Sequence, residues 1–135
     1  MIVFDASTLV GVALRPDSVP ERALRHAVDH DVLALSPAVD DEIAGVLARP
    51  KFAARVSAAR REAILAELRG AARWFFPATV VTACRDPKDD KYHELALAAG
   101  AQVIVSSDED LLVLDPWRGV RVLRPAAYLA AVGGG

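Results

Sequence analysis

Short, continuous apolar runs alternate along this chain with longer stretches in which apolar residues recur every three or four positions. "IVF" (2–4) reads as a buried strand and "STLVGVAL" behind it as a helix. A second helical pattern spans about Val19 to His30 and leads to "VLALS" (32–36), a second strand. Ser36 followed by Pro37 is a helix start, because a serine hydroxyl caps free N–H groups and proline suits the first helical position. That helix should end near Ala48, since Pro50 cannot continue it. Ser57 to Ala72, rich in Ala, Glu, Arg and Leu, predicts another helix. "ATVVTA" (78–83) predicts a third strand, followed by a helix through "DPKDDKYHELALAAG" that Gly100 stops. "QVIVS" (102–106), a short helix through "DEDLLVL", "VRVL" (120–123) and a last helix at "PAAYLAAV" complete the order. Strands separated by helices imply parallel pairing and right-handed crossovers. The expected fold is a three-layer α/β/α sandwich with a mostly parallel central sheet, one domain over 1–132 with a loose glycine tail at 133–135.

Composition narrows the setting. The 135 residues are 53% hydrophobic and 25% charged, enough to bury a core and escape disorder. The single Cys84 excludes an internal disulfide and fits a reducing compartment. Met1 runs directly into "IVFD", without the basic and apolar regions of a signal peptide, and no apolar run approaches the ~20 residues that span a bilayer. The expectation is a cytoplasmic protein that makes no use of membranes. The net charge of −2 conceals a basic stretch. Arg49 to Arg73 holds seven basic residues against Glu62 and Glu67, either a solvated helical face or a strip that contacts phosphates.

The acids are distributed in a more telling way. In open α/β sheets ligands sit beyond the carboxyl ends of the strands. Asp5 follows the first strand, Glu42 lies in the second turn of the helix after the second, Asp89 opens the helix after the third, and Asp108 follows the fourth. Four strand exits thus each deliver a carboxylate towards one edge. Helix-start statistics account for part of this, because negative side chains are favoured at the positive end of a helix.

Helical geometry separates some neighbours. Tyr92, Leu95, Ala96 and Ala99 form the apolar stripe of their helix. At ~100° per residue Asp89 falls roughly 70° from the stripe's centre, able to lean into the crevice, whereas Asp90 looks outward. Asp86, ahead of Pro87, suits a cap. On the preceding acidic helix, Val39, Ile43, Val46 and Leu47 form the stripe, Asp41 faces away, and Glu42 and Asp40 flank it equally. Geometry leaves those two tied.

Carboxylates that share a crevice need compensation. Two unit charges 4 Å apart repel by about 1 kcal/mol in water and ~4 kcal/mol at an effective dielectric near 20. Either protons stay on or a cation neutralises the group. An all-oxygen donor set selects Mg²⁺ first and Mn²⁺ next, and such an ion suits phosphodiester hydrolysis. With the basic stretch beside it, nucleic acid is the natural substrate. Other candidate chemistry is weaker. His26 and His30 at i, i+4 lack a third zinc ligand nearby, His93 reads as a surface residue, and Cys84 as an inert buried thiol.

"IVFDAST", "SPAVDDEIAGVLARPKF", "RDPKDDKYHELALAAGA" and "VIVSSDEDLL", in that order and spacing, closely resemble the PIN-domain family, and within it the branch of VapC-related toxins of toxin–antitoxin systems. The resemblance extends to the closing "VLRPAAYLAAV". It implies a Mg²⁺- or Mn²⁺-dependent endoribonuclease whose metal site is Asp5, Glu42, Asp89 and Asp108, which breaks the tie against Asp40. Asp110 is a nearby second candidate for the fourth position. Ser7 and Ser106 match supporting hydroxyl positions, and Arg49, Lys51 and Arg55 are candidate RNA contacts. The resemblance also implies an RNA substrate, a cognate antitoxin protein and a homodimer. Three positions depart from the family pattern: Ala6-Ser7 replaces a common Thr-Asn, Asp90 a neutral residue, and Glu109 a frequent base.

Two other classes compete. An aspartyl-phosphate phosphatase also places an Asp after its first strand, but wants a second Asp where Ser7 stands. A non-catalytic α/β binding module would use the same acids only as helix caps.

Overall fold

The computed structural model describes residues 1–133, so two of the three glycines of the expected tail lie outside the described residues. Among the described residues five strands are separated by eight α-helices, singly or in runs. The order is β1 (Ile2–Phe4), α1 (Ala6–Leu14), α2 (Val19–His30), β2 (Ala34–Leu35), α3 (Pro37–Leu47), α4 (Pro50–Ala53), α5 (Ala58–Ala71) and β3 (Arg73–Trp74). A 3₁₀ turn at Pro87–Asp89 precedes α6 (Asp90–Ala99), β4 (Val103–Val105), α7 (Glu109–Leu112), β5 (Arg121–Leu123) and α8 (Pro125–Ala131). The architecture is the α/β/α sandwich expected from the sequence.

Every strand pairing is parallel. β4 lies between β1 and β5, and β2 pairs with β3. A bridge between Ile2 and Leu33, with the Ile2 N–H on the Val32 carbonyl at 2.9 Å, sets the β2–β3 pair beside β1. The spatial order is therefore β3-β2-β1-β4-β5. The chain builds outward from β1 in one direction through β3, then crosses back to build β4 and β5 on the other side. That reversal between β1 and β4 is a topological switch point, where the flanking connections diverge and leave a crevice.

Local signals account for most helix ends. Ser36 and Ser57 accept from the N–H groups of Val39 and Arg60, and Asp86 from that of Lys88. Gly100 closes α6 in the left-handed conformation, φ 64°, which glycine adopts without steric cost. Gly11 serves a different need: a Cβ there would lie 3.0 Å from Cγ of Pro20, so its absence lets α2 pack close to α1. The core is continuous through the sheet and joins Val3, Leu9, Leu35, Ile43, Leu95, Ile104 and Leu111, all fully buried. Each such side chain contributes roughly 1.5–3 kcal/mol on leaving water.

The expected third strand is in the wrong place. Residues 78–83 form no strand, and Val80 stands 85% exposed. The sheet's third strand is Arg73–Trp74, whose flanking N–H groups reach the carbonyls of Leu33 and Leu35 at 2.8 Å. β-branched residues favour strands through packing on a pleated, half-buried surface, and "ATVVTA" has no neighbouring strand to supply one. Its N–H groups are satisfied instead by α6: Val81 donates to Glu94, and Ala83 and Cys84 both donate to Asp90. α4, unforeseen from the pattern, is a single turn that follows Pro50. Among the described residues no helix is long and apolar enough to cross a membrane.

Candidate active site

Asp5, Glu42, Asp89 and Asp108 line one open cavity of about 300 Å³ at the switch point. Each comes from a different place in the chain. Asp5 caps α1 immediately after β1, Glu42 sits in the second turn of α3, Asp89 ends the 3₁₀ turn before α6, and Asp108 caps α7 after β4. Parallel strands bring Asp5 and Asp108 to this edge directly, since their carboxyl ends open together, while Glu42 arrives on α3 and Asp89 at the end of the 3₁₀ turn that starts α6.

Asp5 is the anchor. It is buried, and its carboxylate accepts from the Thr8 N–H at 3.0 Å, the Thr8 hydroxyl at 2.9 Å, the Ser7 hydroxyl at 2.8 Å and the Ser106 hydroxyl at 2.5 Å. Burial pushes its carboxyl above the usual range, and those hydrogen bonds pull the other way. Ser7 and Ser106 thus stand where supporting hydroxyls were expected. Each also ties Asp5 to the far loop, for Ser7 accepts from the Ser107 N–H and Ser106 from the Asp108 N–H. Tyr92 closes the floor: its hydroxyl oxygen accepts from the Ala6 N–H at 3.2 Å, joining α6 to the start of α1.

Asp89 is strongly perturbed as well. Burial and the charges of Asp108, Asp86 and Glu42 push its carboxyl up to about 6, against only partial relief from Lys91. Lys91 itself was not foreseen from the sequence. Its Nζ lies 3.4 Å from Glu42 Oε2 and links α6 to α3. Nothing in linear spacing could reveal a pair formed across two helices.

The structure also separates neighbours that the helical wheel could not. Asp40 is turned away into a bidentate pair with Arg69, Nε to Oδ1 at 2.8 Å and Nη2 to Oδ2 at 3.2 Å. Asp110 is not on the cavity wall, and its N–H is held by Asp108. Asp90 is also off the wall, but it does not look outward. It is 6% exposed and binds the N–H groups of Ala83 at 3.1 Å and Cys84 at 2.7 Å. The wheel placed it opposite the apolar stripe, and the 78–84 loop folds over that side. Burial raises its carboxyl, and the two N–H bonds outweigh this and hold it below the usual range.

Two further expectations change. His93 is fully buried rather than on the surface, edge-on to Trp117 with Nδ1 3.4 Å from Cys84 Sγ. Burial lowers its basicity, so it stays neutral near pH 7. Cys84 therefore has a partner, yet burial and the carboxylate of Asp90 push the thiol up to about 12. It is an inert thiol, because only the thiolate attacks. The basic stretch is likewise thinned. Arg60 pairs with Glu21 and Arg69 with Asp40, while Arg61 donates to the Val56 carbonyl. Among the described residues Arg49, Lys51 and Arg55 have no acidic partner, and Arg49 lines the acid cavity beside Phe52.

The donor set fits a hard divalent cation that keeps water in its shell. All four donors are carboxylates, the cavity is open, and after burial the charges of Asp108, Asp86 and Glu42 add to the elevation of Asp89. Among the described residues no three of these acids already converge on one coordination point. Mg²⁺ tolerates that arrangement, since it dehydrates reluctantly and is commonly held by one or two carboxylates with waters completing the octahedron.

Residues 1–110 match the family model described as PIN domain, a stretch that contains all four acids. The crystal structure of PAE2754 from Pyrobaculum aerophilum superposes with a TM-score of 0.63 at 17% identity, covering 98% of this chain and 89% of that one. At that identity the likeness concerns the fold alone. A comparison with curated proteins gives no significant match.

Proposed function

The chain belongs to the PIN-domain family, typically metal-dependent nucleases, and on that premise we propose that it is an endoribonuclease using Mg²⁺ or Mn²⁺. The observation that carries this is the convergence of Asp5, Glu42, Asp89 and Asp108 on one cavity from four separate elements. Those four carboxylates would hold the ion, which when bound polarises a phosphoryl oxygen and lowers the pKa of its water.

The chain's own residues set the conditions for that chemistry. Asp5 is held in place at the floor by donors from Thr8 and Ser106, which favour its charged form against the burial that opposes it. Ser7 and Ser106 are rotatable hydroxyls, so either can turn aside to free a lone pair of Asp5. Asp89, pushed up to about 6 in the metal-free protein by burial and its acidic neighbours, is an acid whose charged form a bound cation would restore. Arg49 stands at the cavity wall, where a phosphate of the bound strand would lie, and Lys51 on α4 and Arg55 just beyond its end continue its charge. RNA rather than DNA as substrate, a toxin role neutralised by an antitoxin protein, and assembly as a homodimer rest on the likeness of the motifs to the toxin branch.

Cleavage of labelled RNA tests the reading, with Mg²⁺, with Mn²⁺ and with EDTA, for the parent chain, Asp5→Asn and Asp89→Asn. Metal-dependent cleavage lost in both variants is the expected result. Variants that cut as fast as the parent would rule out this carboxylate site. The phosphatase reading has the sequence against it: Ser7 stands where that chemistry wants a second Asp, and its hydroxyl is spent on Asp5.

A further inference from the structure

Lys91 stands apart from the other cations of the chain. Its side chain is only 20% exposed, and it pairs with Glu42 on α3, itself 30% exposed, rather than with an acid of its own helix. Glu94 is already engaged by the Val81 N–H at 3.0 Å. The pair joins α3 to α6, the two helices that deliver Glu42 and Asp89 to the cavity. Its separation of 3.4 Å is longer than the 2.7–2.9 Å of a tight charge-assisted hydrogen bond. The contact is thus close enough to hold Glu42 and loose enough to be exchanged.

We propose that Lys91 is the resident counter-cation of the acid site: its ammonium holds Glu42 in the metal-free protein and gives that carboxylate up to a bound divalent ion. Lys91 and the ion then compete for one ligand. The inference rests on the metal-site reading above and adds to it a positioning residue that acts through Glu42. Its charge also reaches Asp89, whose rise it opposes. Four carboxylates without a cation would repel one another across the cavity, and a half-buried ammonium paired with one of them offsets part of that repulsion in the metal-free protein. Arg49 lines the cavity itself, whereas Lys91 reaches Glu42 from outside that wall, and Arg49 has no acidic partner among the described residues, so it does not serve this purpose.

The competition has a signature that simple packing lacks. Lys91→Met keeps the aliphatic stem and removes the charge, Lys91→Arg restores it, and Lys91→Gln stands in if the methionine variant does not fold. Thermal unfolding is followed in EDTA and in saturating Mn²⁺, and Mn²⁺ affinity is measured by calorimetry on the same proteins. In EDTA, Lys91→Met should melt below the parent, and with Mn²⁺ the two should converge. Its Mn²⁺ affinity should rise about tenfold, the order expected when one neighbouring positive charge is removed. Lys91→Arg should track the parent in both measurements. A melting gap that persists unchanged with Mn²⁺, or an affinity that stays level or falls, would overturn the inference and leave Lys91 a structural tether. A parent protein that binds no Mn²⁺ at all would sink the metal-site reading itself, a distinguishable failure.

Discussion

The Ser106 hydroxyl lies 2.5 Å from Asp5 Oδ2 and accepts the Asp108 N–H at 2.9 Å, so one small side chain joins the first and fourth acids of the cavity. Ser106→Ala removes a donor from a buried carboxylate, and burial already raises that group. Leaving it short of a partner should cost about 1–3 kcal/mol at neutral pH. The sign follows from the raised carboxyl. The protonated form is favoured in the fold, so the cost should shrink as pH falls to the ordinary carboxylate range. Urea unfolding at neutral and acid pH measures both.

Asp89 predicts a pH effect in the metal-free protein. Its carboxyl ordinarily titrates near 3.8 and is pushed up to about 6 in the fold. A raised carboxyl contributes stability that is fully present below the ordinary value and is lost as pH rises through about 6. Asp89→Asn should therefore stabilise the metal-free chain above that pH and do little below the ordinary value, as read from urea midpoints in EDTA. Divalent metal binding by the parent should weaken on the acid side of the same window. An Asn variant less stable than the parent at alkaline pH would contradict the assignment.

Asp90 behaves in the opposite sense. Two backbone N–H groups hold it low, so its contribution is present above the ordinary carboxylate value and fades as pH falls through the native one. Both bonds go to one oxygen, which an asparagine can supply. Asp90→Asn should leave cleavage far less affected than Asp89→Asn. Asp90→Ala, which strands both N–H groups, should cost about 1–3 kcal/mol. Hydrogen exchange at Ala83 and Cys84 should accelerate in the alanine variant and stay slow in the asparagine one.

The cations divide into two groups with separable effects. Alanine at Arg49, Lys51 or Arg55 should leave the melting temperature close to the parent's. Each true phosphate contact removed should lessen the salt dependence of RNA binding by about 0.7 in the log–log slope for a single strand. Arg69→Ala should do the reverse, with RNA binding unchanged and a stability loss of about 0–1 kcal/mol for its partly exposed pair with Asp40. A uniform fall in RNA affinity across all four variants would point to nonspecific charge rather than a binding wall.

Much of the fold was legible in the chain because its signals are local. A serine before a proline, a glycine after an apolar stripe and a β-branched triplet act within a few residues, and Ser36, Gly100 and "IVF" behave accordingly. The third strand was missed for the complementary reason. Arg73–Trp74 is two residues long and exposed, so it has no periodicity to detect, and only the edges of Leu33 and Leu35 make it a strand. "ATVVTA" has strand composition without a strand's neighbour.

The acids show where the boundary falls. From the sequence alone, the alternation of strands and helices determined that Asp5, Glu42 and Asp108 leave on the same edge, since parallel strands share a carboxyl end, whereas the strand expected before Asp89 does not form and α6 carries that acid there instead. It also determined that Asp86 caps its turn. Tertiary structure decided what each neighbouring acid does. A helical wheel measures direction around one axis, but not what lies there. Arg69, from α5, drew Asp40 away from Glu42, the folded-over 78–84 loop buried Asp90, and Lys91 reached across to α3. Each of those partners is distant in the chain or on another element. Charge and hydrogen bonding act through space, and only folding brings those groups within range.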